Sequence, residues 1–390
     1  MRVLPFEYAV RNLGRSPTRL LLCLLGSALV VLLLLAAGGF VRGMDLALRS
    51  TGEANNVILL GAGSEESIER SEVDAGIASM VAASIAGVRS RAGVAYVSPE
   101  VHVQLLLKLH AEQAKGPLVL VRGVTPAATL VHASVRIVEG RLPHPGANEV
   151  MIGSMFATKM GVAEADVGIG RPLIIEKRSW TIVGRFSAPG TLTDAEVWTP
   201  LTDLKEATKR STDSCVVLTL DPQAAEFADV ATFTKTRVDL ELAALPEIAY
   251  YEKLSEFFAP IRILTWITAG LVAVGGLLGG LNTLYAAFAS RVRELGTLQA
   301  CGFRRIAIAW SLVQESTLAT ACGALLAAAA GVFLLDGIAV RFSMGAFGLR
   351  IDSTVLGVGL SAGLLLGLVG AIPPAWRCLR MEIPVALKAV

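Results

Sequence analysis

The sequence predicts an α-helical membrane domain of four transmembrane helices, with a large α+β extracytoplasmic domain inserted between the first and second. Three observations carry that expectation. Four stretches, 20–41, 263–290, 316–335 and 353–376, hold no Asp, Glu, Lys or Arg, and about 20 apolar residues let a helix cross a hydrocarbon core of about 30 Å. About 220 residues separate the first two stretches, enough for a core of their own. Finally, basic residues gather at alternate ends of the spans: Arg2, Arg11, Arg15 and Arg19, then Arg291, Arg293, Arg304 and Arg305, then Arg377, Arg380 and Lys388. Short segments rich in Arg and Lys stay cytoplasmic, so both termini are expected inside and residues 42–260 outside. The opposing short loop, 336–352, holds only Arg341 and Arg350. With 53% hydrophobic and 17% charged residues, the chain is more apolar than a soluble globular norm.

Taken in order, residues 1–18 set Phe6, Ala9, Val10 and Leu13 against Glu7, Arg11 and Arg15, the pattern of an amphipathic helix on the inner membrane surface. Pro17 separates it from the first span, 20–41. That run exceeds the roughly 7–15-residue apolar core of a cleaved signal peptide, so it reads as an uncleaved anchor. Within 42–260, apolar runs of strand length recur, for example at 57–60, 118–124, 148–153, 180–186 and 215–220, and 201–210 and 223–237 carry helical patterns. An inserted β-rich lobe of about 115–212 is expected, bounded by the polar stretches from Ala111 and from Lys205. Tyr250, Tyr251 and Trp266 suit the outer interface, and a helix is expected to continue unbroken from the domain into the second span, 261–289. A cytoplasmic segment 290–303, a third span 306–335, a loop 336–352, a fourth span 353–375 and a tail 376–390 complete the chain. Pro373-Pro374 is expected to end or kink the fourth helix.

Gly275/Gly279 and Gly276/Gly280 in the second span, and Gly359, Gly363 and Gly367 in the fourth, recur at a spacing of four. Such ridges let helix backbones approach closely, within the chain or between copies. Glu315 is the one carboxylate at membrane depth. Groups of that kind face a partner; a structural bond to the end of a neighbouring helix or to the charged segment 291–302 is expected, since no span offers a second Asp, Glu or His for a proton relay.

No catalytic or metal-binding set is expected. His102, His110, His132 and His144 are spread among unrelated elements and read as surface or hydrogen-bonded histidines. Cys23, Cys215, Cys301, Cys322 and Cys378 show no CxxC spacing, and only Cys215 falls outside the membrane and cytoplasm. The domain contains no GxSxG nucleophile elbow. The dipeptide Gly-Lys occurs nowhere, which excludes a P-loop.

Between the second and third spans, Val292, Leu295 and Leu298 recur every three residues, with Arg291, Arg293, Glu294 and Gln299 elsewhere on the wheel. That spacing predicts a short amphipathic helix, with Gly302 as its stop; an ordinary basic loop is the alternative. The string Arg-Val-Arg-Glu-Leu-Gly-Thr-Leu-Gln-Ala-Cys-Gly (291–302), followed by Glu315, resembles the hallmark segment of the FtsX/MacB/LolC-type ABC-transporter permeases, the type VII mechanotransmission class. Phe6 to Gly26 and Pro374 to Lys388 agree with the same family. Cys301 departs from its usual small or aliphatic residue.

The resemblance implies that Arg291, Arg293, Glu294, Leu295, Gly296, Leu298 and Gly302 form a coupling helix for two copies of a separate ABC ATPase, which binds the ATP and Mg. It further implies a second permease subunit, the same or homologous, contact with membrane lipids, and in some members a periplasmic adaptor or lipoprotein carrier. The expected role is lipoprotein or lipid extraction, or efflux of amphiphilic compounds, at the inner membrane with the large domain in the periplasm. An FtsX-like regulator of an envelope hydrolase and a membrane-anchored scaffold without a motor are the alternatives. No nucleic-acid partner is implied.

Overall fold

The computed structural model describes residues 5–388 except 16, 111, 114 and 344; Arg2 and Ala111, named above, lie outside the described residues. Helix α1 (Phe6–Arg15) precedes α2 (Pro17–Arg49). Proline opens α2, where its fixed φ suits a first helical turn and its missing N–H costs nothing. There follow β1 (Asn56–Gly61), α3 (Ile77–Ser84), a short hairpin of β2 (Ser90–Arg91) and β3 (Val94–Ala95), β4 (Val97–Leu106), β5 (Leu118–Val124) and α4 (Ala128–Val131). Next come β6 (Arg136–Gly140), β7 (Glu149–Gly153), α5 (Phe156–Met160), β8 (Pro172–Ile175), β9 (Arg178–Ser187), β10 (Val197–Pro200) and α6 (Leu201–Thr208). The domain closes with β11 (Cys215–Thr219), α7 (Phe227–Thr236), β12 (Leu242–Pro246) and α8 (Glu247–Phe257). Helices α9 (Ala259–Ala289), α10 (Val292–Ala300) and α11 (Arg305–Ala330) lead to β13 (Ala339–Arg341) and β14 (Ala346–Gly348), then α12 (Ser353–Leu379) and α13 (Ile383–Lys388).

Among the described residues, four helical stretches are long and apolar enough to cross a membrane: Leu20–Arg49, Ala259–Ala289, Arg305–Leu335 and Ser353–Leu379. Two compact units result, one of Met1–Arg42, Pro260–Ile338 and Leu349–Val390, the other of Gly43–Ala259 and Ala339–Gly348.

In the first unit α11 and α12 pack along their lengths. Gly359 approaches Leu35, Gly363 approaches Ala324 and Gly367 approaches Thr317 and Thr320, each so closely that a Cβ would collide. Gly276 meets Val30 in the same way, whereas Gly275, Gly279 and Gly280 have nothing within 4 Å of where a Cβ would stand. The ridge of α9 is therefore engaged at one position in this chain. Asp352 caps α12, accepting from Val355 N at 3.0 Å, and pairs with Arg42 Nε at 2.7 Å. The fourth helix does not end at Pro373-Pro374 but runs through to Leu379. Each proline removes one N–H yet keeps a helical φ, and packing of Pro374, Ala375, Cys378 and Leu379 in the core holds the last turns.

The second unit is built on a ten-stranded sheet in the order β12-β1-β11-β4-β5-β10-β7-β9-β6, with β8 on β9. Pairs β10/β5 and β7/β9 are parallel and the others antiparallel. The six strands within about 115–212 continue the same sheet through β4, which pairs with both β11 and β5. The run Val57–Leu60 is buried on both faces, as an all-apolar strand requires. Trp180, Trp198, Phe156 and Phe186 are fully buried in its core. Helix α8 ends at Phe257 and α9 starts at Ala259, so the helix expected to continue into the second span is interrupted at Phe258. The loop expected at 336–352 is partly structured: its middle forms the β13–β14 hairpin and belongs to the second unit.

Candidate functional site

In the first unit α10 carries the sequence-predicted coupling residues. Val292, Leu295 and Gly296 are buried, the first two in one apolar cluster with Phe288, Ile308, Leu312, Ala375, Leu379 and Ala386. Gly296 lies against Ala386 of α13, where a Cβ would come to 2.9 Å. Leu298 is half-buried beside that cluster, while Arg293, Glu294, Thr297 and Ala300 are exposed. Leu295 and Gly296 thus anchor the helix from behind. The apolar recurrence every three residues marks an inward face, and the exposed face is polar.

Gly302 stops α10 by a specific geometry. Its φ of +89 places it in the left-handed region that glycine adopts without strain. Gly302 N donates to Gln299 O at 3.0 Å and Phe303 N to Leu298 O at 3.2 Å, the paired bonds of a Schellman cap, with the two apolar side chains of 298 and 303 in the same cluster.

Arg291 sits at the start of α10 and reaches into α11. Its Nη1 lies 3.0 and 3.2 Å from the two Glu315 oxygens, and its Nε lies 3.0 Å from Glu294. The Glu315 side chain is 5% exposed. Glu294 also lies 3.6 Å from Arg15 at the end of α1. Arg15, Arg291 and Glu294 line a cleft of about 400 Å³ with Asn12, Thr283 and Ser290. A carboxylate at membrane depth is affordable here because a guanidinium meets it.

The second unit holds a charged network that sequence reasoning did not assemble. Glu100 and His102 of β4, Arg122 of β5, His132 after α4, Glu196 before β10 and Glu247 at the start of α8 are all buried. Arg122 bonds Glu196 through Nε and Nη2 at 2.8 and 2.7 Å and Glu100 through Nη1 at 3.0 Å. His132 Nε2 lies 2.7 Å from Glu100 Oε1, His102 Nε2 lies 2.9 Å from Glu100 Oε2, and Trp198 Nε1 donates to Glu196 at 3.0 Å. His132 Nδ1 is 3.9 Å from Glu247, whose other oxygen accepts from Asn56 and Glu53 N. His110 and His144, by contrast, are exposed.

Burial alone would raise the Glu100 carboxyl; His132, Arg122 and the histidine hydrogen bonds outweigh it and hold it well below the ordinary value. For His132 burial favours the neutral ring, but Glu100 outweighs that and raises it. Burial and Arg122 together lower His102. Glu100, His102 and Cys215 offer ligand atoms within 4.8 Å of one another. As a metal centre this trio fits poorly, because both Glu100 oxygens are engaged by cationic partners and burial drives the Cys215 thiol well up.

The family described as MacB-like periplasmic core domain matches residues 20–233, more than half the chain, and that described as FtsX-like permease C-terminal matches residues 266–383. The chain belongs to the FtsX/MacB-type ABC-transporter permeases. No curated protein matches it in a sequence search. The periplasmic region of MacB from Actinobacillus actinomycetemcomitans is similar at 10% identity, over 53% of this chain and 95% of that one, with a TM-score of 0.40. The extracellular domain of the noncanonic ABC-type transporter YknZ from Gram-positive bacteria is similar at 14% identity, over 49% and 100%, with a TM-score of 0.37. This permease is a multi-pass membrane protein with an extracytoplasmic domain, of a family that is not itself catalytic and works with an ATPase.

Proposed function

We propose that this permease converts ATP-driven motion of a separate ATPase into movement of its extracytoplasmic domain, and that the motor touches the outward face of α10. The observation that carries this reading is the mounting of α10: Leu295 and Gly296 are buried and Arg291 is tied to Glu315 and Glu294, while Arg293, Glu294 and Thr297 are exposed on the other side. A helix fixed along one edge by packing and an ion pair transmits force to α11 instead of yielding to it. Both termini and α10 are cytoplasmic in this reading, in an inner membrane, with two ATPases and a second permease subunit. Lipoprotein or lipid extraction and amphiphile efflux are the transport roles it serves.

The test is co-purification of the full chain with co-expressed ABC ATPases. Arg293→Glu and Thr297→Asp change exposed positions and leave the core intact, so each is expected to abolish co-purification while the permease stays monodisperse. An ATPase retained equally by both variants would move the contact off α10. Absence of any ATPase from the wild-type sample would overturn the motor reading.

A further inference from the structure

Helix α5, the approach to β5 and the β13–β14 hairpin, all within the second unit, border an open pocket of about 280 Å³ lined by Pro117, Leu118, Lys159, Arg341, Phe342 and Ser343. Lys159 is 5% exposed. Its Nζ donates to Phe342 O at 2.6 Å and Ser343 O at 2.8 Å, which leaves one of the three ammonium donors unassigned. Arg341 passes over the end of α5 at Gly161, where a Cβ would strike its guanidinium and where φ is +72. Glycine is needed there for the backbone, and a Cβ would displace the flexible end of Arg341.

Among the described residues neither cation makes an ion pair, and the pocket lining contains no carboxylate. Buried lysines are ordinarily paired. Here the buried Lys159 and the exposed Arg341 line one pocket, and the acceptors of Lys159 are neutral carbonyls. Burial first, and the Arg341 charge second, lower Lys159 to about 8. Such an arrangement is electrostatically incomplete, and an anion between the two groups would complete it. Beside the cations, Pro117, Leu118 and Phe342 offer apolar walls.

We propose that this pocket binds a phosphate-type anion, gripped by Lys159 and Arg341 with the Ser343 hydroxyl beside them. The same chemistry is offered by free phosphate and by the phosphate of a lipid headgroup, whose hydrocarbon the apolar walls would accept.

The test uses the full chain in a neutral detergent and reads the shift of its thermal unfolding during titration with inorganic phosphate, short-chain phosphatidic acid or the matching diacylglycerol. Saturable stabilisation by phosphatidic acid alone assigns a lipid phosphate; stabilisation by both phosphate and phosphatidic acid assigns the free anion. Arg341→Gln, at an exposed position, is expected to weaken the apparent affinity at least about tenfold, the loss of one charge-assisted contact. Arg350→Gln, an exposed arginine outside the pocket, is expected to leave it unchanged. Lys159→Gln also removes the two carbonyl bonds, so it serves only where the variant still unfolds cooperatively. No saturable shift with either phosphate probe, an equal shift with diacylglycerol, or equal weakening by both arginine variants would overturn the proposal.

Discussion

Replacing Arg122 with Met removes the centre of the charged network while nearly keeping its volume. The guanidinium is 2% exposed and makes three charged contacts of 2.7–3.0 Å, two to Glu196 and one to Glu100, with its carbon 5.7 Å from the Trp198 ring. Its loss leaves two buried carboxylates with a deficit of positive charge, and removing one member of a buried ion pair costs about 3–5 kcal/mol. At about 2–4 °C per kcal/mol for a domain of this size, the unfolding temperature of the second unit should fall by about 6–20 °C. The assay is thermal unfolding of the detergent-solubilised full chain followed by tryptophan fluorescence, to which Trp198 reports directly. A triple variant, Arg122→Met with Glu100→Gln and Glu196→Gln, removes the charges together and should recover most of the loss, because a buried network replaced as a whole is far less costly than one broken. A loss under about 1 kcal/mol for the single variant, or a triple variant no more stable than the single, would refute the assignment of that energy to uncompensated charge.

Glu315→Gln leaves Arg291 with Glu294 alone and should destabilise the first unit by about 1.5–3 kcal/mol, the range for a hydrogen bond to a charged group; a thermal shift in detergent measures it, and no shift would show the pair to be dispensable. Gly302→Val forces a β-branched residue to φ +89, costing about 1–3 kcal/mol, visible as a lower unfolding temperature. His132 has a raised pKa, so its contribution is full below the ordinary histidine value of 6.5 and is lost as pH rises through the folded value. The stability gap between wild type and His132→Gln should therefore be widest below pH 6.5 and narrow above it. Arg141 holds Glu149 at about 2, so that contribution is present above the ordinary 4.5 and fades as pH falls towards 2. Acid unfolding of Arg141→Gln should begin at a higher pH than that of wild type.

The membrane plan was legible because span length and charge are written locally: an uninterrupted apolar run needs no knowledge of its neighbours. The same holds for α10, whose apolar recurrence at Val292, Leu295 and Leu298 and stop at Gly302 follow from helical geometry. Its orientation was not legible, since burial of Leu295 and Gly296 depends on α13, nearly 90 residues onward. The network of Arg122 was missed for a related reason. Its members come from five separate elements, and pairing of β4 with β5, which sets His102 opposite Arg122, is a tertiary fact. A signal did exist. Arg122 interrupts Leu-Val-Leu-Val-Arg-Gly-Val, and Glu196 precedes Val-Trp; a lone charge inside a strand with no polar alternation is a request for a buried partner. The β13–β14 hairpin was hidden because eight of the ten residues from 339 to 348 are apolar or glycine at irregular spacing, without a strand-length run.

That hairpin also sets an order of events while the chain is made. The sheet of the second unit is complete in sequence at Pro246 and α8 at Phe257, yet the hairpin emerges about 80 residues later, or about 4–16 s at a synthesis rate of about 5–20 residues per second. Until then the carbonyls of Phe342 and Ser343 that receive the Lys159 ammonium do not exist. A chain cut short before residue 339 therefore keeps a domain with its whole sheet and an unanswered lysine. Closure of the extracytoplasmic domain thus waits on synthesis of the third membrane helix, and the finished fold certifies that this helix has been made.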